Sequence, residues 1–405
     1  MLFGTFSIVR LESTFRHLSS VFQYSSTRFT DQIRTLATST IKPVAGVYLS
    51  YPFCAQKCTY CNFASGVLPR DIQDQYPAAL VREIESTVWK WMPDTIYIGG
   101  GTPSAMDPEI LDRLLAAIPG KPWREATIEA APGSFTLGTA RQWARSGMNR
   151  VSLGVQSFIQ HELARTGRRH TAKTIQSDVA NLRAAGLDNF NLDLIAGLPG
   201  QTHATWAESL DFIAQIAPPH VSVYMLEVDE DSRLGRELLL GGVRYGARDV
   251  PDDNAIAGFY EAAVERLDCI GIHRYEISNF ARPGFESIHN LKYWRREPYL
   301  AFGADAHSFD GNRRWQNVES AADYTRLSPN ARSTFEIANA SEEKFFVGLR
   351  LSEGIDVSAE EMRRHDPAIR RFLEGGLMEQ SGTRLRLTPA GVMLSNEIFQ
   401  QFLNT

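Results

Sequence analysis

From residue 44 onward, the apolar positions of the chain follow two alternating rhythms. Short apolar runs predict strands at Val47–Ser50, Thr95–Gly99, Thr127–Ala130, Arg150–Gln156, Asn189–Ile195 and Val221–Leu226. Longer stretches between them carry apolar residues at helical spacing. Leu80, Ile84 and Val88 at i, i+4 spacing predict a helix over Tyr76–Trp91, and further helices are expected at Ile110–Ile118, Ala140–Ser146, Lys173–Ala185 and Thr205–Ile216. Strands alternating with helices at this spacing imply βα units and a parallel sheet. Six units fit an α/β fold, a partial (β/α)6 barrel of the TIM type, whose chemistry belongs on the loops at the C-terminal strand ends.

Beyond the sixth strand, the pattern predicts a helix over Ala255–Leu267 and a strand-like run at His273–Ser278. From about Ser341 a charged helical segment leads through Arg384-Leu-Arg-Leu to a last helix ending at Phe402. A short strand, a turn and a terminal helix predict a small C-terminal α+β unit of winged-helix type, with a packing or lid role. The expected organisation is an extension over 1–43, a barrel core over 44–250, a barrel extension over 251–340 and the winged-helix-like unit over 341–405.

Composition narrows the function classes. The chain has 405 residues, 43% hydrophobic and 22% charged, with a net charge of −5. It has no basic run of the kind that marks a nucleic-acid partner, and no apolar stretch of the roughly 18–20 residues a membrane span requires. With four cysteines, three of them clustered, disulfides are not expected and a reducing, cytoplasmic setting is. Residues 1–43 differ from the rest. They are rich in Ser and Thr, carry Arg10, Arg16, Arg28 and Arg34, and hold only Glu12 and Asp31 as acids. They read as a dispensable extension, or as an organellar transit peptide, which would move the chain into an organelle.

The candidate chemistry starts at Cys54, Cys58 and Cys61. Their C-x3-C-x2-C spacing is neither the paired C-x2-C of a zinc ribbon nor a thioredoxin motif. Lys57 and Thr59 break any buried apolar pattern. Three thiolates are one short of the four that close a [4Fe-4S] cubane, which leaves one iron open to a small chelating molecule. The lone Cys269 reads as a small buried hydrophobe at a helix end.

The cysteine motif, followed by Gly99-Gly100-Gly101-Thr102-Pro103 after the second strand, resembles the radical S-adenosylmethionine (SAM) superfamily. The resemblance implies a [4Fe-4S] cluster on the three cysteines, with the SAM amino and carboxylate groups on the open iron. It also implies SAM-binding residues position by position. Gly100, Gly101 and Thr102 would take the amino group, Glu129 the ribose hydroxyls and Arg168 the carboxylate, with Tyr48, Gln156 and Asp193 around them.

Further along, Val155-Gln-Ser-Phe, Arg168-Arg-His170-Thr and Asn191-Leu-Asp-Leu-Ile-Ala-Gly-Leu-Pro-Gly-Gln-Thr202 resemble the oxygen-independent coproporphyrinogen oxidase group. In its oxidases a further cysteine stands two residues beyond the third. Phe63 stands there in this chain, and Asn62-Phe63 is similar to the group's haem-chaperone branch. The run His289-Asn290-Leu-Lys-Tyr293-Trp294 is similar to that branch's H-N-x-x-Y-W motif. This branch implies haem as cargo and haem-dependent proteins as recipients. His289 is then the candidate axial ligand and His307 a second one. The alternative is that the motif packs the C-terminal region against the barrel, with His289 hydrogen-bonded structurally. The rival function is radical decarboxylation of coproporphyrinogen III. Two positions depart from the family pattern: Ser50 stands where a histidine is common, and Ala301 where a glycine is usual.

Overall fold

The computed structural model describes residues 45–403; the extension over 1–43 lies outside the described residues. Strands β1 (Ala45–Tyr51), β2 (Pro93–Gly100), β3 (Glu125–Ala130), β4 (Arg150–Gln156), β5 (Phe190–Ala196) and β6 (His220–Met225) pair in chain order. Every pair among them is parallel. Helices α1 (Arg70–Glu85), α2 (Pro108–Ala116), α3 (Leu137–Ser146), α4 (Gln160–Arg165), α5 (Ala172–Ala184) and α6 (His203–Ile216) fill the connections. This is the six-unit α/β arrangement expected from the pattern. Parallel strands are buried on both faces, and β5 shows it: all seven residues are buried, with Leu192 and Leu194 in the core and Asn191 and Asp193 turned the other way.

Three of the helices start with one device. Thr136, Thr171 and Thr202 cap α3, α5 and α6, each in a reciprocal capping box with the threonine three residues on. These caps fix where each loop at the C-terminal strand ends turns into helix, and so where the side chains on those loops stand.

One helix is displaced from its expected position. α1 runs over Arg70–Glu85 rather than Tyr76–Trp91. Leu80 and Ile84 are buried as the spacing requires, but Val88 lies past the helix end and is 85% exposed. The chain enters α1 at Pro69, whose fixed φ suits the start of a helix, and the apolar spacing continues by coincidence into the loop. Cys269, expected to be buried, is exposed at the last position of α8.

The sheet continues past both edges of the six parallel strands. After α7 (Arg233–Leu239) and α8 (Asp253–Cys269), β7 (His273–Arg274) and β8 (Asn279–Ala281) join antiparallel beside β6. The strand expected over His273–Ser278 is thus limited to two residues. Helix α9 (Ile288–Trp294) leads to β9 (Tyr299–Phe302), which pairs parallel with β1. β10 (His307–Phe309), β11 (Arg313–Asn317) and, after α10 (Ala321–Leu327), β12 (Arg332–Ile337) complete a twelve-stranded sheet.

The C-terminal unit holds α11 (Ala340–Gly348), β13 (Ile355–Asp356), α12 (Ala359–Arg364), α13 (Asp366–Glu374), β14 (Met378–Ser381) and β15 (Arg384–Leu387), followed by two short helices. Its strands form a separate three-stranded sheet in the order β13-β15-β14. Phe402 closes its core by stacking on Phe345 at 4.7 Å. Among the described residues, no helix is long and apolar enough to cross a membrane.

Candidate cofactor site

The C-terminal ends of β1–β5 open into a cavity of about 580 Å3. All three clustered cysteines line it, and so do Tyr48, Gly100, Gly101, Thr102, Glu129, Gln156, Arg168 and Asp193. These residues come from five successive βα units, so the parallel order of the strands brings them together.

The cysteine loop is stitched in place through its backbone. Cys54 N donates to Gly66 O at 2.8 Å and Gly66 N to Pro52 O at 2.9 Å. The glycine loop after β2 fastens onto the same segment, with Gly101 N to Tyr51 O and Thr102 N to Phe53 O, both at 2.8 Å. On the other side, Leu234 N of α7 donates to Thr59 O at 2.8 Å, Arg233 reaches Lys57 O, and Asn62 Nδ2 donates to the Asp229 carboxylate. Gly101 is required by this close approach: a Cβ there would stand 2.6 Å from Phe53 O. Gly100 adopts φ +110°, which glycine tolerates freely.

Glu129 is held by two donors, Tyr97 Oη to Oε1 at 2.9 Å and Gly100 N to Oε2 at 3.2 Å. Burial raises its carboxyl above the usual range, and the Asp193 charge adds to this. Burial also pushes the Cys54 thiol up and the Cys61 thiol to about 11. Both are therefore thiols at neutral pH, and a metal held by them would have to displace their protons.

Gln156 is the clearest sign that this cavity is built for a polar ligand. It is 0% exposed, yet neither atom of its amide has a hydrogen-bond partner among the described residues. It also has φ +68°, where the β4–β5 ladder shifts register between Leu153 and Gln156. A buried amide with two unmet groups, held in a left-handed conformation, is costly on both counts. A polar ligand against it would meet those groups. Arg168 lies beside it, with Nη1 donating to Gly154 O at 2.7 Å and Nε without a hydrogen-bond partner among the described residues. Gly154 leaves the space they occupy: a Cβ there would stand 3.1 Å from Gln156 Nε2. These residues fit a small zwitterionic ligand beside an iron–sulfur cluster.

His289 is placed elsewhere. α9 lies across the N-terminal ends of β1–β3, so close that a Cβ on Gly46 would meet His289 Cε1 at 2.9 Å. The imidazole is 0% exposed, with Nδ1 2.9 Å from Thr95 Oγ1 and Nε2 2.8 Å from Tyr293 Oη. Burial, with Lys292 and Arg150 nearby, lowers its pKa to about 3. In this structure both ring nitrogens of His289 are within hydrogen-bond distance of a hydroxyl, and the imidazole sits inside the packing of α9 on the strands. The rest of the motif makes packing contacts too. Glu125 accepts from Ser287 Oγ, Ile288 N and His289 N at 2.8–3.1 Å, anchoring the N-terminus of α9. At the other end, Trp294 packs with Val347 and Leu351, under the Arg350 guanidinium at 4.7 Å. His307 does line the upper cavity.

A buried polar column runs down the barrel from Asp193. Asn191 Nδ2 donates to Asp193 Oδ1 at 2.6 Å, and Ser152 Oγ donates to Oδ2 at 3.2 Å. The Asn191 oxygen lies 2.7 Å from His220 Nδ1, and His220 Nε2 lies 2.9 Å from Tyr275 Oη. Tyr275 Oη also accepts from Ser287 N at 3.2 Å. Since a carboxylate only accepts, the Asn191 amide is fixed with its nitrogen toward Asp193. His220 therefore donates from Nδ1. Burial keeps its pKa well below the ordinary value, so the ring is neutral and Nε2 accepts from Tyr275.

Several cavity residues escaped the sequence reading. Asp229, Glu230 and Asp231 form an acidic rim, and Asp305, Gln316 and Glu319 line the wall built by β10 and β11. The acidic run follows β6, at the same strand end as the other site residues, so the barrel rule could have found it. The β10–β11 residues carry no periodic signal.

Residues 48–213 match the family model of the radical SAM superfamily, and residues 338–394 match that of the HemN C-terminal domain. The chain is 34% identical to the heme chaperone HemW of Bacillus subtilis, covering 88% of this chain and 98% of that protein. It is 33% identical to the heme chaperone HemW of Lactococcus lactis, covering 88% and 96%. Among solved structures, the radical SAM enzyme coproporphyrinogen III oxidase (HemN) from Escherichia coli superimposes with a TM-score of 0.77 at 20% identity, over 90% of this chain and 92% of that one. That likeness supports the fold.

Proposed function

Because the chain belongs to the heme chaperone HemW family of the radical SAM superfamily, we propose that it binds haem and delivers it to haem-dependent proteins. On this reading it also holds a [4Fe-4S] cluster and SAM at the upper end of the barrel. The observation that carries the cofactor part is the single cavity shared by three cysteines, a glycine cradle and the orphaned Gln156 amide. Identity to chaperones along nearly their whole length supports the cargo.

Cys54, Cys58 and Cys61 would hold three irons. Gly100, Gly101 and Thr102 would take the SAM amino group, Arg168 the carboxylate and Glu129 the ribose hydroxyls, while Tyr48, Gln156 and Asp193 complete the wall. Together, cluster and SAM supply one-electron cleavage chemistry when bound. The chain's own part is orientation. Tyr97 and the Gly100 amide fix Glu129, Ser152 and Asn191 fix Asp193, and the backbone stitches fix the cysteine loop. Phe63 lines the cavity where the oxidases carry another cysteine, and it offers no sulfur.

Residues 44–250 are the cofactor barrel on this reading, 251–340 its extension and 341–405 a packing unit without a nucleic-acid role. The chain works in a reducing compartment, the cytoplasm. The test is a haem titration of anaerobically reconstituted full-length protein, followed by transfer to an apo-haem protein, beside an assay of coproporphyrinogen III consumption with SAM and a reductant. Stoichiometric haem uptake and transfer without porphyrinogen consumption is the expected result. Consumption without haem uptake would replace this reading with the oxidase.

A further inference from the structure

Strand β12 ends the twelve-stranded sheet, and among the described residues no strand pairs with its outer edge. Every residue of Arg332–Ile337 is exposed, Phe335 to 58% and Ile337 to 75%. Ala338 N donates to Asn312 O at 2.8 Å, and the register continues with Glu336 opposite Arg314 and Thr334 opposite Gln316. Successive residues of an antiparallel strand turn their backbone groups to opposite sides. Glu336 and Thr334 therefore face β11, while the N–H and C=O groups of Phe335 and Ile337 point outward. A free edge of this kind is a template for another strand. Only an extended polypeptide matches its alternating donors and acceptors.

One face of this edge has a distinct chemistry. Trp315 lies opposite Phe335 and Arg313 opposite Ile337, so these side chains share a face. The Arg313 guanidinium lies over the Phe335 ring at 5.5 Å, and the Arg332 guanidinium over the Trp315 ring at 4.9 Å. The face is an apolar stripe with a cation near each end and no carboxylate among those positions. It suits an extended segment whose alternate residues run acidic, apolar, apolar, acidic. A second copy of this chain fits poorly, because two-fold pairing along β12 would bring the arginines of both copies onto one face. Residues 1–43 fit no better by charge, with Arg10, Arg16, Arg28, Arg34 and Lys42 against only Glu12 and Asp31.

We propose that β12 docks an extended segment of a partner protein, apolar at alternate residues and flanked by two carboxylates, which adds a strand to the sheet. The segment then lies beside β11, whose Gln316 is a wall residue of the cofactor cavity. The partner is held next to that cavity without entering it.

The experiment is fluorescence anisotropy on the full-length protein without haem. The probe is a labelled peptide, Glu-Thr-Val-Thr-Val-Thr-Glu, beside the same peptide with Lys in place of each Glu. The acidic peptide is expected to bind saturably and at least about tenfold tighter than the Lys peptide. Arg313→Glu/Arg332→Glu is expected to reverse that preference. Phe335→Pro removes an outward N–H that no ladder bond uses, which an edge strand tolerates, and is expected to weaken the acidic peptide by at least about tenfold. If circular dichroism shows that this variant does not fold, the exposed arginine variant still decides. No saturable binding of the acidic peptide, or equal binding by wild type and either folded variant, overturns the docking edge. So does a wild-type dimer in sedimentation velocity that Phe335→Pro splits into monomers, which would give the edge to a second copy.

Discussion

Replacing His289 with alanine separates packing from haem ligation. The substitution removes a fully buried ring and leaves Thr95 Oγ1 and Tyr293 Oη without their shared partner. Each buried group left unmet costs about 1–3 kcal/mol. The emptied volume under the Tyr97 and Tyr293 rings, whose centroids lie 5.5 and 5.2 Å away, adds a cavity cost of about 1–2 kcal/mol. Water entering the polar part of the gap recovers some of this. The expected loss is therefore about 3–5 kcal/mol, a large share of the stability of a typical domain. Urea unfolding followed by circular dichroism measures it. The parallel readout is haem affinity at a temperature where the variant is still folded, which is expected to stay within about threefold of wild type. A variant with wild-type stability and no haem binding would refute the packing account and restore His289 as a ligand.

The same histidine predicts an acid effect. Its folded pKa near 3 lies below the ordinary value of 6.5, so the unfolded chain binds a proton that the folded chain refuses. That contribution to stability is present above pH 6.5 and is lost as pH falls toward 3. Between pH 6 and 4, wild type should lose up to about 1.4 kcal/mol per pH unit more than His289→Ala, and equal slopes in urea titrations would contradict this. Gly101→Ala drives a Cβ into the Phe53 backbone, so iron and sulfide content after reconstitution should fall well below wild type; full cluster loading would show that the loop can give way. Gln156→Ala removes a buried amide that has no hydrogen-bond partner among the described residues, so unfolding free energy should change by less than about 1 kcal/mol while SAM affinity drops roughly tenfold. A large stability loss with unchanged SAM affinity would mean the amide serves the fold. Cys58→Ala should abolish the visible absorbance of the cluster, and retention of that absorbance would remove Cys58 from the ligand set.

The parallel core was legible because each strand is a short apolar run followed by a capped amphipathic helix, so local pattern and topology agree. β4 is found residue for residue at Arg150–Gln156. The gathering of the cysteines, Glu129, Gln156 and Asp193 followed from the rule that such barrels place function at their C-terminal strand ends. The place of His289 was not legible. A histidine flanked by aromatics reads the same whether it faces a ligand or a threonine, and only the crossing of α9 over the N-terminal ends of β1–β3 separates the two. α1 shifted because Pro69 sets its start, a signal outranked by apolar spacing that ran on to Val88. The β10–β12 extension was unread because its strands are short and mixed in polarity, and they are held by pairing with distant residues.

The column between Asp193 and Tyr275 has one fixed sense of donation, from the Ser287 amide up to the carboxylate. A Grotthuss relay needs every member to release one proton as it takes another. The Ser287 backbone amide at the lower end cannot release its proton, and neither can the Asn191 side-chain amide in the middle. The column is an insulator to protons, although it is continuous in hydrogen bonds. A proton arriving at the lower end of the barrel cannot be handed along this column to Asp193 without a rearrangement of its members.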